Sequence, residues 1–418
     1  MTSVETSSAV TTDESRLLAA IDREAEAALA FLADLVRVPS DNPPGDCAPF
    51  GEAAARALEG LGLTVERHPV AGETCRAHGM VSATNLIVRH RFGDGPVVAL
   101  NAHGDVVPPG EGWSRDPYGA EIVDGWMIGR GVAVSKSDIA TYAFALKALA
   151  ASGLPLQGTI ELHVTADEEA GGEIGPALLL SQGLTKPDYA ICAGFSYEVV
   201  TAHNGCLHLG MEVRGKSAHA ARPETGHDAL RAANALLTRL YAHADDLAGR
   251  RSSVAGIKGP SCVVGLVSGG INTNVVPDKV ALRLDRRIVP DEDAAVAEAD
   301  LRAIAAEVAA SHEGISVEVT RILLARPFGP VEGSDRLASI VAARASAVMG
   351  AAVATNGVPL YADARHYSEA GIPTIMYGCG PRTLLEANAH RADERIPVDH
   401  LAKATKVIAL ALRDLLSV

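Results

Sequence analysis

The chain has no CxxC pair, no stretch rich in Lys and Arg, and no apolar run near the roughly 18 residues a bilayer demands. Each absence removes a class of protein. Neither a zinc ribbon nor a disulfide framework is expected, so the six scattered cysteines (Cys47, Cys75, Cys192, Cys206, Cys262 and Cys379) read as reduced thiols in a cytoplasmic protein. The Ser/Thr-rich residues 1–12 lack the basic start and apolar core of a signal peptide and are expected to form a disordered tail. With a formal net charge of −14 and no basic patch, nucleic acid and anionic membranes are excluded as partners. No internal repeat stands out.

What the chain does have is length and apolar content, 418 residues of which 48% are hydrophobic, more than one core usually serves. Two domains are therefore expected. Apolar residues from Leu17 to Val36 recur with a helical period that Pro39 stops, predicting one helix over 13–36 and a second to about residue 61. Strands follow near 63–67, 85–90, 97–101 and 158–165, with a helix over 139–149 and a tight hairpin at Asp124-Gly125. From 205 the pattern changes to strand 205–214, helix 226–247, strands 261–268 and 278–288, helix 293–311 and strand 315–323. That order is β-α-β-β-α-β, a ferredoxin-like module inserted in an α/β chain. The expected division is 13–204 with 325–418, interrupted by 205–324. The resumed part predicts a helix over 337–349, a strand over 371–378 and a last helix over 398–416.

Chemistry gathers at strand ends. The apolar run 97–102 halts at His103-Gly104-Asp105, where glycine lets the backbone turn two polar groups toward one point. Such a pair suits either a metal-binding imidazole oriented by a carboxylate or a capped strand end. The run 158–165 ends in Asp167-Glu168-Glu169, whose mutual repulsion calls for a cation, a shared proton or solvent. His390 lies in a late loop placed to reach the same centre.

Taken together, Asn42-Pro43-Pro44-Gly45, His103 to Pro108, Gly129-Arg130-Gly131, Asp167-Glu168-Glu169, Gly215 to His219, Asn274 to Pro277, Asp285-Arg286-Arg287 and His390 to Glu394 resemble one family. It is the metallopeptidase and deacylase family of acetylornithine deacetylase, succinyl-diaminopimelate desuccinylase, aminoacylase and carboxypeptidase G. The resemblance implies a zinc-peptidase-like α/β catalytic domain carrying a ferredoxin-like lid and dimerisation domain. It also implies amide hydrolysis at two zinc ions about 3.5 to 4 Å apart. Carried over by motif, His103 would bind one ion and Glu169 and His390 the other, Glu168 would act as general base, and Asp105 would hold the His103 ring. His219 would stabilise the oxyanion, reaching the partner subunit of a homodimer, and Arg287 and Asn274 would grip the carboxylate of a small amino-acid derivative.

The same pattern places a bridging aspartate at Val134 and a second carboxylate at Ala193, and neither residue can coordinate a metal. Three readings follow: a single ion held by His103, Glu169 and His390; metal-free acid–base catalysis, as hydrolysis or acyl transfer; or an inactive ligand-binding relative. A two-metal centre would need substitute ligands. Asp138, one helical turn after Val134, would offer one, or else would cap its helix.

Overall fold

The computed structural model describes residues 3–417, with side chains from residue 13 onward. A helix, Ser3–Arg23, begins inside the stretch expected as a tail, whose residues 1 and 2 lie outside the described residues. The helix expected over 13–36 is broken at Glu24, which leaves helical geometry and takes an ion pair from Lys147 at 2.9 Å. Ala25–Val36 follows, and both helices bury apolar faces (Leu17 and Ile21, then Phe31 and Leu32) in one core.

The chain divides into two compact units. The first comprises Met1–Thr201, Pro330–Asn356 and Ala362–Val418. Its eight-stranded mixed sheet runs in the order Val65–Pro69, Thr84–Arg91, Thr159–Thr165, Val97–His103, Tyr189–Cys192, Thr374–Met376, Glu198–His203, Ala354–Val358. Val97–His103 lies at the centre, parallel to both neighbours. Burial on both faces explains why its sequence is a nearly unbroken apolar run. Helices Lys136–Ala151 and Val398–Leu416 pack on each other within the same core. At the expected hairpin, Asp124 (φ 49°) and Gly125 (φ 79°) supply the two positive φ values that a two-residue turn between right-twisted strands requires.

Register decides where the chemistry sits. His103 pairs with Thr165 at the carboxyl ends of parallel strands, so Asp105 and Asp167-Glu168-Glu169 emerge side by side. Ala193 follows the next strand, its N–H donating to Asn101 O at 2.8 Å.

The second unit comprises Ala202–Gly329 and Gly357–Tyr361. Its four antiparallel strands lie in the order Ser261–Gly269, Lys279–Ile288, Gly205–Arg214, Ser316–Ala325. That is the connectivity of a split β-α-β-β-α-β module. Helices Ala229–Ala248 and Ala294–Ala310 start at Asp228 and Asp293, whose carboxylates accept N–H groups of the first turn. Alternation along Gly205–Arg214 sends Leu207, Leu209, Met211 and Val213 into the unit's own core and leaves Cys206, His208, Gly210 and Glu212 on the other face.

Candidate active site

His103 ends its strand with a side chain only 6% exposed. Its Nδ1 donates to the carbonyl oxygen of Asp105 at 2.9 Å and lies 3.4 Å from Asp105 Oδ1, which leaves Nε2 facing Glu168 Oε2 at 3.9 Å. Ser135 Oγ fixes the backbone here, accepting from His103 N and donating to His103 O, both at 3.1 Å. Gly104 is glycine because a Cβ would stand 1.9 Å from the Phe50 ring.

The carboxylate of Asp105 is engaged mainly elsewhere. It accepts from Asn42 Nδ2 at 2.9 Å and from the N–H groups of Glu168 and Glu169 at 3.2 and 3.1 Å. Asp105 thus holds the short turn Glu168–Ala170 as well as the imidazole, the latter chiefly through its own carbonyl. His390 Nε2 stands 3.2 Å from Glu169 Oε1, on a loop where His390 itself has φ 59°. A non-glycine residue held there stores backbone strain, a feature that clusters at functional sites.

The electrostatics are those of acids crowded out of water. Burial, with Glu169 and Asp105 beside it, pushes Glu168 up to about 8 against the opposing pull of His103. Burial alone would keep His103 neutral, but the Asp105 bond and the charges of Glu168, Asp105 and Glu169 raise it well above the usual imidazole range. His390 is raised by its bond to Glu169.

Further buried groups complete the cluster, of which Asp363 and Arg365 lie outside the motifs. Asp363 is pushed up to about 8 by burial and by Glu168, and Asp167 is raised by burial and by Asp363 while accepting Ile174 N at 2.6 Å. Arg365, also buried, donates to Gly171 O and partly offsets the negative charge on Glu168 and Asp363. A polar run at Asp363 to His366 beside a strand was the available signal. Asp138 does not cap its helix, where Ser135 holds the N-cap position; its carboxylate accepts from Cys379 N at 2.6 Å and Gly194 N at 3.2 Å. Burial pushes it up to about 8.

The donor atoms of His103, Glu168 and Glu169 all lie within 4.8 Å of one another, with His390 adjoining through Glu169. Imidazole and carboxylate donors in this number have the chemistry to hold one divalent ion. Beside them Val134 packs against the core, its loop tied by Ala133 N and Val134 N to Glu394, which also pairs with Arg130 at 2.6 Å. The remaining expected residues belong to the second unit. His219 and Asn274 are brought together, the Ala220 N–H donating to Asn274 O at 3.0 Å, whereas Arg287 Nε is bound to Asp285 Oδ1 at 3.0 Å.

Over 399 residues the chain is 28% identical to a succinyl-diaminopimelate desuccinylase of Gluconacetobacter diazotrophicus, covering 93% of this chain and 97% of that one. The fold matches the crystal structure of aminopeptidase PepT from Bacillus cereus with a TM-score of 0.74, 24% identity, and coverage of 94% and 98%. It also matches Bacillus subtilis YXEP, described as a dinuclear metal binding peptidase, with a TM-score of 0.68, 17% identity, and coverage of 94% and 99%. Sequence and fold together define a hydrolase of carbon–nitrogen bonds. More particularly, the chain belongs to peptidase family M20/M25/M40, whose model matches residues 99–414.

Proposed function

We propose that the protein hydrolyses the acyl–amide bond of a small N-acylated amino acid bearing at least one further carboxylate, by a mechanism that departs from two-ion hydrolysis. The observation that carries this reading is the donor set: His103, Glu168 and Glu169 converge, while Val134 and Ala193 stand where the resemblance requires carboxylates. Two ions without a bridging carboxylate would face each other unscreened, so the chemistry favours one ion or none. The desuccinylase relative, similar along nearly its whole length, favours a dicarboxylic acyl group such as succinyl.

When bound, a divalent ion held by His103, Glu169 and His390 would polarise the amide carbonyl and acidify water. Glu168, aimed into the same space, takes a proton from the attacking water and returns it to the departing amine. Asp105 and Asn42 keep that carboxylate in place by anchoring the backbone on which it stands. His219 is assigned to the oxyanion and Arg287 and Asn274 to the substrate carboxylate, on the family resemblance. A homodimer formed through the second unit agrees with the exposed edge strand Ser261–Gly269, which presents Val263, Leu266 and Val267 to solvent.

The test is turnover of N-succinyl and N-acetyl amino acids by purified protein of measured metal content. In a Cys206→Ser background, which leaves out the thiol-containing cluster of the second unit, turnover with at most one equivalent of metal per chain, lost in Glu168→Gln, is the expected result. Two tightly bound ions in protein whose Cys206 is replaced by Ser, so that only the His103 centre is counted, or full activity in Glu168→Gln, would sink the proposal. In the same Cys206→Ser background, adding Val134→Asp and Ala193→Glu is expected to raise metal content toward two equivalents.

A further inference from the structure

Outside the candidate active site, the second unit carries another convergence of ligating atoms. In the antiparallel pairing of Gly205–Arg214 with Lys279–Ile288, His208 lies directly opposite Asp285 and Cys206 opposite Arg287. Strand alternation puts all four on the face of the sheet away from the helices and core. His208 Nε2 stands 3.0 Å from Asp285 Oδ2 and 3.1 Å from Cys206 Sγ, and the sulfur is 3.7 Å from the same carboxylate oxygen.

One ring nitrogen holds at most one hydrogen, so Nε2–H can satisfy the carboxylate or the sulfur but not both. The thiol donates to the same carboxylate oxygen at 3.7 Å, a weak bond because sulfur is a weak donor. Three groups thus share a centre held only by weak or shared hydrogen bonds, with donor atoms of the types a soft cation takes. Around a tetrahedral zinc ion the same three donor atoms would stand about 3.3 to 3.6 Å apart, which the present separations approach within a few tenths of an ångström.

We propose that Cys206, His208 and Asp285 form a divalent-metal site that takes zinc or a similarly soft ion, with a fourth position open to solvent. The surroundings are built for it. Arg287 Nε holds Asp285 Oδ1 at 3.0 Å, which orients the carboxylate and leaves Oδ2 for the ion, as outer partners of metal ligands commonly do. Cys206 is buried, while the His208 and Asp285 side chains are 37% and 32% exposed, giving an entry path from one side. A thiolate and an imidazole select against magnesium and calcium. Binding would release the thiol proton and any proton on Nε2 to solvent.

Cobalt titration of chelator-stripped, full-length protein tests the site separately from the active site, because a thiolate–cobalt bond gives a near-ultraviolet charge-transfer band that imidazole and carboxylate ligands do not. The other cysteines are buried, and among the described residues none of them joins a three-donor group. The expected result is a band saturating at one thiolate–cobalt bond per chain, absent in Cys206→Ser. Affinity read from the band should fall at least about tenfold in His208→Gln. No band in the wild-type protein, a band that persists in Cys206→Ser, or one of unchanged affinity in His208→Gln would overturn the proposal. Should Cys206→Ser fail to fold, the His208→Gln titration decides alone. Zinc should also raise the melting temperature of the wild-type protein more than that of either variant.

Discussion

Glu168 is an acid that burial, with Glu169 and Asp105 beside it, raises to about 8, and Asp105 accepts the N–H of the backbone on which it stands. Replacing Glu168 by Gln keeps the shape and removes the proton acceptor, so kcat for the amide substrate should fall by about 10²- to 10⁴-fold with the melting temperature unchanged or raised. Asp105→Ala should behave differently. It strips the acceptor from Asn42 and from two backbone N–H groups, a loss of about 1–3 kcal/mol or more that chemical denaturation would measure, together with lost activity. Both residues were legible in the sequence because each lies in a compact motif. Which bonds Asp105 makes was not, since Asn42 and Glu168 are distant in sequence and only the sheet brings them together. Asp363 and Arg365 escaped for the same reason: nothing local to them announces Glu168 as a neighbour.

Among the elements, the strand Thr159–Thr165 shows how a buried charge sets pH behaviour. Its Glu161 meets His163 Nε2 at 3.0 Å and Arg89 Nε at 2.7 Å. Burial would raise the carboxyl, but the His163, Thr185 and Arg89 interactions override it and hold it at about 2 against a usual 4.5. A depressed acid contributes stability that is present above the unfolded-state value and lost as pH falls from about 4.5 through about 2. Glu161→Gln should therefore lower the melting temperature at neutral pH and flatten the loss between those limits, as a pH series of thermal melts would show. Just past the carboxyl end of the neighbouring strand Val97–His103, Gly104→Ala would drive a methyl group into Phe50, and a cost of about 1–3 kcal/mol is expected in a denaturant titration. Long elements were readable from periodicity alone. Short strands such as Tyr189–Cys192 and Ala354–Val358 complete too little of a period to stand out, and owe their existence to the partners beside them.

At the scale of the molecule, two units carry separate cores. Leu282→Ala, in the core of the second unit, is expected to destabilise that unit by about 2–5 kcal/mol. Calorimetry should then show a transition moving to lower temperature while the unfolding of the first unit is less affected. An equal shift of all unfolding would mean that the two units melt as one.

By itself, the sequence determined the α/β class, the inserted β-α-β-β-α-β pattern and the family, and it marked His103, Asp105, Glu168, Glu169 and His390 as candidates by their motifs. It could do so because periodicity and short motifs are properties of neighbouring residues. Tertiary structure alone decided the rest: that Asp105 anchors the Glu168–Ala170 turn, that Asp138 is occupied by the N–H groups of Gly194 and Cys379, and that Cys206, His208 and Asp285 meet at one point. Those are meetings across strands and loops, fixed by the register in which the sheets close.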